Sequence, residues 1–203
     1  MNPVDLRLLS RSLTASLALL ITPALTHAEE TPRSDKHYVA VLGTALEHRS
    51  IGVTNERAWG QVGTVVIGGH LTDLIHAEVR LGAGISDAEV PRGDLSLAVD
   101  YYASWYMGLK YAITDYANIY GQAGFTHVSG EASLANPDAT ENRQFRSLEG
   151  DYPDSSFSIS WLAGLDFEVV DDLFLVFEGG RLFEDTETGA NTFQFSSGVR
   201  YEF

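Results

Sequence analysis

The feature that most constrains this chain is an unbroken alternation of apolar and polar residues. From Leu95 to Ile113 every odd position is apolar: Leu95, Leu97, Val99, Tyr101, Ala103, Trp105, Met107, Leu109, Tyr111 and Ile113. Between them stand Ser96, Asp100, Ser104, Gly108 and Lys110, with Tyr102 and Tyr106 among them. A period of two places successive side chains on opposite faces of a strand, whereas a helix needs apolar residues at steps of three and four. The same alternation runs through 75–85, 157–169 and 193–203, and no helical stripe competes with it. Four further segments, about 37–47, 57–71, 117–130 and 173–184, bring the expectation to eight strands. Gly68-Gly69 and Gly179-Gly180 are candidate bulges that would reverse parity.

The connections alternate too. Thr72-Asp73-Leu74, Thr114-Asp115-Tyr116 and Asp171-Asp172 are tight turns, while about 48–56, 87–94, 131–155 and 185–190 are longer. Hairpins in this rhythm give an up-and-down antiparallel meander with both termini on the short-turn side. Alternation alone does not say which face meets water. A soluble barrel hides its apolar set; a membrane barrel turns it to lipid. Three features favour the second. Several strands exceed the ~9–11 residues needed to cross a bilayer. Tyr101, Trp105, Tyr111, Phe157, Phe167, Tyr201 and Phe203 sit near strand ends on the apolar faces, as in the aromatic girdles at lipid boundaries. The polar faces mix both charge signs with Gly and Ser.

Composition removes other classes. The 203 residues contain no Cys, which excludes disulfide scaffolds, thiolate metal sites and thiol nucleophiles. A formal charge of −15 argues against nucleic acid as a partner. No body segment is long and apolar enough for a spanning helix. Residues 1–28 read as a secretory signal: Arg7 and Arg11 precede the apolar run Leu13 to Leu25, and Thr26-His27-Ala28 suits cleavage between Ala28 and Glu29. Residues 29–36 are then a periplasmic lead-in.

With its signal, its connection rhythm and its last strand ending Val199-Arg200-Tyr201-Glu202-Phe203, the sequence resembles small bacterial outer-membrane β-barrels, both the porin-like family and the eight-stranded membrane domain of OmpA-type proteins. The resemblance covers 37–203. It implies an all-β fold, an eight-stranded antiparallel up-and-down transmembrane β-barrel in the outer membrane of a Gram-negative bacterium, without a cofactor. It also implies contact with outer-membrane lipid and lipopolysaccharide, and recognition of Tyr201 and Phe203 by the barrel assembly machinery. The chain stops at its last strand, so no wall-binding domain is expected.

Two places could carry function. The inward set holds Glu78, Arg80, Asp100, Lys110, Asp166, Glu168, Arg200 and Glu202. A lumen this narrow is filled by side chains, so these charges form either a salt-bridged plug or a narrow cation-preferring pore. The long loop 131–155 carries Glu131, Asp138, Glu141, Glu149, Asp151 and Asp154 against Arg143 and Arg146, and faces outward as a surface for an extracellular partner. Its acids match no calcium-loop spacing, so no metal is expected. One catalytic pattern remains, His127-Val128-Ser129 with Glu131 or Glu141 as the orienting acid. It is similar to the pair in outer-membrane lipid A deacylases, but Gly130-Glu131 departs from that motif and three strands follow. The expectation is therefore a non-enzymatic scaffold displaying acidic loops, with a narrow channel as alternative and a deacylase as a remote one.

Overall fold

A computed structural model of the chain describes residues 33–34, 36–51, 56–90, 94–153, 157–186 and 190–203, without the side chains of Glu141 and Ser147. The expected signal segment, and the expected cut between Ala28 and Glu29, lie outside the described residues. Eight long strands are found among those described: β1 (His37–Arg49), β2 (Arg57–His70), β3 (Ile75–Ser86), β4 (Leu95–Thr114), β5 (Ala117–Leu134), β6 (Ser158–Val170), β7 (Leu173–Glu184) and β8 (Asn191–Glu202). Each pairs antiparallel with its sequence neighbours. β1 pairs with β8, from Tyr38 opposite Glu202 to Arg49 opposite Asn191, which closes the barrel. Closure leaves no free sheet edge, the condition for strands to cross a bilayer. At the β6–β7 turn Asp172 takes φ 62°, the left-handed conformation that Asp tolerates in tight turns.

Outward positions form an apolar band. Val41, Ile67, Leu81, Leu109, Tyr111, Ile159 and Phe203 are all exposed. On β4 the band runs from Tyr101 to Tyr111, ten residues that at ~3.3 Å each and ~40° of tilt span about 25 Å, the thickness such bands have.

Parity does not hold along all of β4. A register shift between Val99 and Tyr101 leaves Asp100 as an extra residue. Below it the even residues Tyr102, Ser104, Tyr106 and Lys110 are buried; above it the odd residues Leu95, Leu97 and Val99 are buried instead. The candidate bulges at Gly68-Gly69 and Gly179-Gly180 are corrected: both pairs lie in continuous register. Those glycines serve close packing, as does Gly82. A Cβ on Gly82 would lie 2.0 Å from the ring of Tyr102 directly opposite, and one on Gly164 would lie 2.4 Å from Tyr120. Large inward tyrosines lie flat over cross-strand glycines, which lets a narrow barrel hold them.

The long connection is not the open loop that its composition suggests. β5 continues to Leu134, so Glu131 belongs to the strand. A 3₁₀ helix then covers Thr140–Leu148, and the short segment Gly150–Asp151 pairs with Glu131 and Ala132. Another two-residue segment, Ala88–Glu89, pairs with β4. The helix drives Phe145 and Leu148 into the barrel mouth, where they pack with Ile51, Val90, Leu95, Leu97 and Tyr152.

Candidate functional site

The barrel interior is stacked in levels. At the short-turn end, Lys110 Nζ donates to Glu202 at 3.1 Å and lies 3.3 Å from Asp166. Arg200 donates to Asp166 at 2.7 Å and lies 3.1 Å from Glu202. Asn118 donates to the other oxygen of Asp166 at 2.6 Å. His70 Nε2 lies 3.5 Å from Glu202. The chain also reaches in from outside the barrel: Arg33 Nη1 donates to Asn118 at 2.8 Å, while Lys36 Nζ donates to Asp172 at 2.8 Å. That bond to Asp172 raises the Lys36 pKa above its ordinary value.

One level up, Arg80 holds two carboxylates. Its Nε donates to Glu78 at 2.5 Å and its Nη1 and Nη2 to Glu178, the latter at 2.9 Å. Tyr38 donates to Glu78 and Tyr120 to Glu178, each at 2.8 Å. The Arg80 guanidinium also lies 5.2 Å from the Tyr106 ring, and Arg200 lies 4.9 Å from Phe174. Buried charges persist when each is paired and further hydrogen-bonded. These are both. Above them lies a hydroxyl belt. Thr44 meets Thr64 and Ser196, Thr126 meets Ser104 and Ser160, and Tyr102 meets Thr64, at 2.6–3.1 Å. Higher still, Leu46, Val62, Tyr102, Val128, Leu182 and Phe183 form an apolar layer beneath the cap of Phe145 and Leu148.

The structure thus brings together six of the eight residues that the alternation placed inside: Glu78, Arg80, Lys110, Asp166, Arg200 and Glu202. Two do not join them. Asp100 is the bulge residue, exposed on the outer surface, because the bulge reverses parity where the alternation was carried straight through. Glu168 is half-buried at the short-turn rim, where it accepts the Asp172 backbone N–H at 3.0 Å, just before another register shift. Glu178 was missed. It precedes Gly179-Gly180, and reading that pair as a candidate bulge hides the unbroken alternation that carries Phe174, Val176 and Glu178 inside.

The remaining candidates lie outside this network. His127 faces outward with its ring 5.9 Å from Tyr101 and 5.2 Å from Phe157. Ser129 shares that face, Glu131 is exposed farther along the strand, and the Glu141 side chain lies outside the description. Tyr201 stacks on Phe203 at 6.2 Å on the lipid face, and both are exposed. In the loop, Asp138 is fully exposed and accepts from Arg146 at 3.1 Å; Asp154 is outside the described residues. Among the described residues no group of three or more His, Asp or Glu could hold a metal ion.

A closed meander with lipid-facing aliphatics and a packed polar interior defines a small transmembrane β-barrel. The chain belongs to the outer membrane protein beta-barrel domain family, whose model matches residues 12–203. No curated protein matches the sequence. Among solved structures it is similar to Ail, the attachment invasion locus protein of Yersinia pestis, in complex with the heparin analogue sucrose octasulfate. That match has 12% identity and a TM-score of 0.55, over 83% of this chain and 98% of that one. Neisserial surface protein A matches at 15% identity and a TM-score of 0.53, over 82% and 97%. The N-terminal β-barrel domain of Pseudomonas aeruginosa OprF matches at 14% and 0.51, over 85% and 100%. These likenesses concern the fold.

Proposed function

We propose that this protein is a non-catalytic scaffold of a Gram-negative outer membrane, with a sealed lumen and a working surface at its outer rim and loop 131–155. The observation that carries this is the filling of the lumen at successive levels: paired charges, hydroxyl belt, apolar layer and cap. A path through the barrel would have to separate Arg80 from Glu78 and Glu178 and also expel Phe145. The outer rim carries exposed Asp87, Glu89, Asp100, Glu131, Asp138 and Asp151, so an extracellular partner would present basic groups. Ail, the fold neighbour named for attachment, was solved with a polyanion; a rim of this sign favours the opposite charge.

A narrow cation-preferring pore is the second reading. Among the described residues, four inward carboxylates on the strands (Glu78, Asp166, Glu178, Glu202) face three inward strand cations (Arg80, Lys110, Arg200), so a lumen that opened would select cations. Single-channel recording of the refolded protein in planar bilayers separates the two, with a heat-shifted gel band first establishing folding. The scaffold reading expects silence; discrete cation-selective steps replace it with the pore. The deacylase reading is not favoured, since the His127 ring lies on the lipid face between Tyr101 and Phe157. An unchanged lipid A mass spectrum on overexpression is expected.

A further inference from the structure

Among the described residues, the outward-facing strand cations near the long-loop end lie on one side only. At the ends of β3, β4 and β5 the outward charges are acids: Asp87, Glu89, Asp100 and Glu131 are exposed. No outward-facing Lys or Arg occurs on those three strands among the described residues. On the flank of β1, β2 and β7 stand three arginines, Arg49, Arg57 and Arg181, in a chain with only 13 Lys and Arg against 28 Asp and Glu.

Strand register sets these arginines into the aromatic girdle. Glu47 stands opposite Trp59 on one side and Phe193 on the other, while Phe193 and Trp161 both stand opposite Arg181. The Arg49 guanidinium lies 4.1 Å over the Phe193 ring and donates from Nε to Glu47 at 2.8 Å. Arg57 donates to the other Glu47 oxygen at 3.3 Å, and Arg181 to Glu184. The two arginines cover Glu47, whose side chain is 4% exposed, yet Arg49, Arg57 and Arg181 themselves stay 33%, 64% and 25% exposed. Glu47, Glu184 and Glu56 balance the flank's formal charge. A guanidinium nevertheless carries five donors, and one carboxylate satisfies about two of them. Arg181 Nε is buried with no partner among the described residues.

We propose that this flank binds the phosphate of an anionic lipid headgroup in the outer leaflet, while the β3–β5 flank excludes it. Girdle aromatics mark headgroup depth, so headgroups are what these arginines meet. The planar guanidinium fork matches a phosphate, and stacking on Phe193 holds one fork facing outward. A phosphate approaching Asp87, Glu89, Asp100 and Glu131 is repelled. The inference requires only that the barrel span the membrane, so it stands or falls independently of whether the lumen is sealed.

Quenching of tryptophan by brominated lipid tests it. Two single-tryptophan proteins are refolded into phosphatidylcholine vesicles containing phosphatidylglycerol, with one lipid brominated at a time. The first keeps Trp161, beside Arg181, and carries Trp59→Phe and Trp105→Phe. The second keeps Trp105, on β4, and carries Trp59→Phe and Trp161→Phe. One guanidinium–phosphate contact at headgroup depth corresponds to roughly fivefold enrichment of the anionic lipid. That enrichment is expected at Trp161 and not at Trp105, and it should fall with salt and vanish in Arg49→Gln/Arg57→Gln/Arg181→Gln. Equal quenching preference at the two tryptophans overturns the proposal, and so does an excess at Trp161 that survives the triple change. If the triple variant does not fold, the comparison between the two tryptophans with all arginines present still decides the matter.

Discussion

Below Asp100 the barrel is apolar outside and charged inside; above it the order is reversed. The same eight strands serve two solvents. In the lower part, lipid covers Leu109, Tyr111 and Phe203, while Arg80, Lys110 and Arg200 sit among carboxylates. In the upper part, Ser96, Asp100, Glu131 and Ser133 face outward, and Leu95, Leu97, Leu134 and Phe145 make an interior like that of a soluble barrel. The soluble and the membrane readings of the alternation are each true of one level. A single bulged residue changes one to the other on β4 by shifting parity by one.

The difference predicts how each level breaks. Removing one member of the lower network leaves buried charge without a partner, the costliest defect available here. Arg80→Ala strands Glu78 and Glu178 and should destabilise the folded barrel by about 3–5 kcal/mol. Urea unfolding of the refolded protein, read by the gel shift, measures it. The combination Arg80→Met/Glu78→Gln/Glu178→Gln should lie much closer to the starting protein, since no ion is then left alone. A triple variant as unstable as the single one would mean that the network contributes through packing rather than charge.

In the upper level the loss is a cavity. Phe145→Ala should cost about 3 kcal/mol locally. Its mark should be rapid proteolysis within 135–157 while the gel-shifted barrel persists. If the barrel unfolds together with the loop, the cap and the lower level are one cooperative unit and the division at Asp100 is structural only. Between the levels, Gly82→Ala forces the Tyr102 ring to move and should cost about 1–3 kcal/mol, because that ring is packed on all sides.

The eight strands, the connection rhythm and the lipid face were legible in the sequence because the lower level obeys one rule over long stretches. Six interior charges followed from it. Asp100 did not, because it is the bulged residue, and a shift of one residue is invisible to a pattern that both solvents produce. Glu168 keeps the inward phase opposite Phe174 but lies at the short-turn rim, beyond reach of the network, where it accepts the Asp172 N–H. Leu95, Leu97 and Val99 illustrate this: they continue the apolar set without a gap yet face the opposite way. The cap was hidden for another reason. Phe145 and Leu148 lie in a stretch dominated by charge, and only the folded mouth shows that two apolar residues suffice to close it. The two residues outside the network carry a prediction of their own. Asp100→Asn and Glu168→Gln should each change stability by less than about 0.5 kcal/mol, far below Arg80→Ala.

The smallest effect belongs to the lead-in, where the chain passes beneath the lower level. The Lys36–Asp172 pair is partly exposed, with side chains 36% and 43% accessible, so solvent screens it and its contribution is minor. Its sign is still fixed. The bond to Asp172 raises the Lys36 pKa in the folded state. The contribution is therefore complete below the unfolded value of about 10.4 and fades as pH rises through the folded one. The stability gap between the native protein and Lys36→Gln should be constant from neutral pH to about pH 9 and close at higher pH. A gap that stays open in alkali would mean that Lys36 acts through its alkyl stem at the barrel rim and not through its charge.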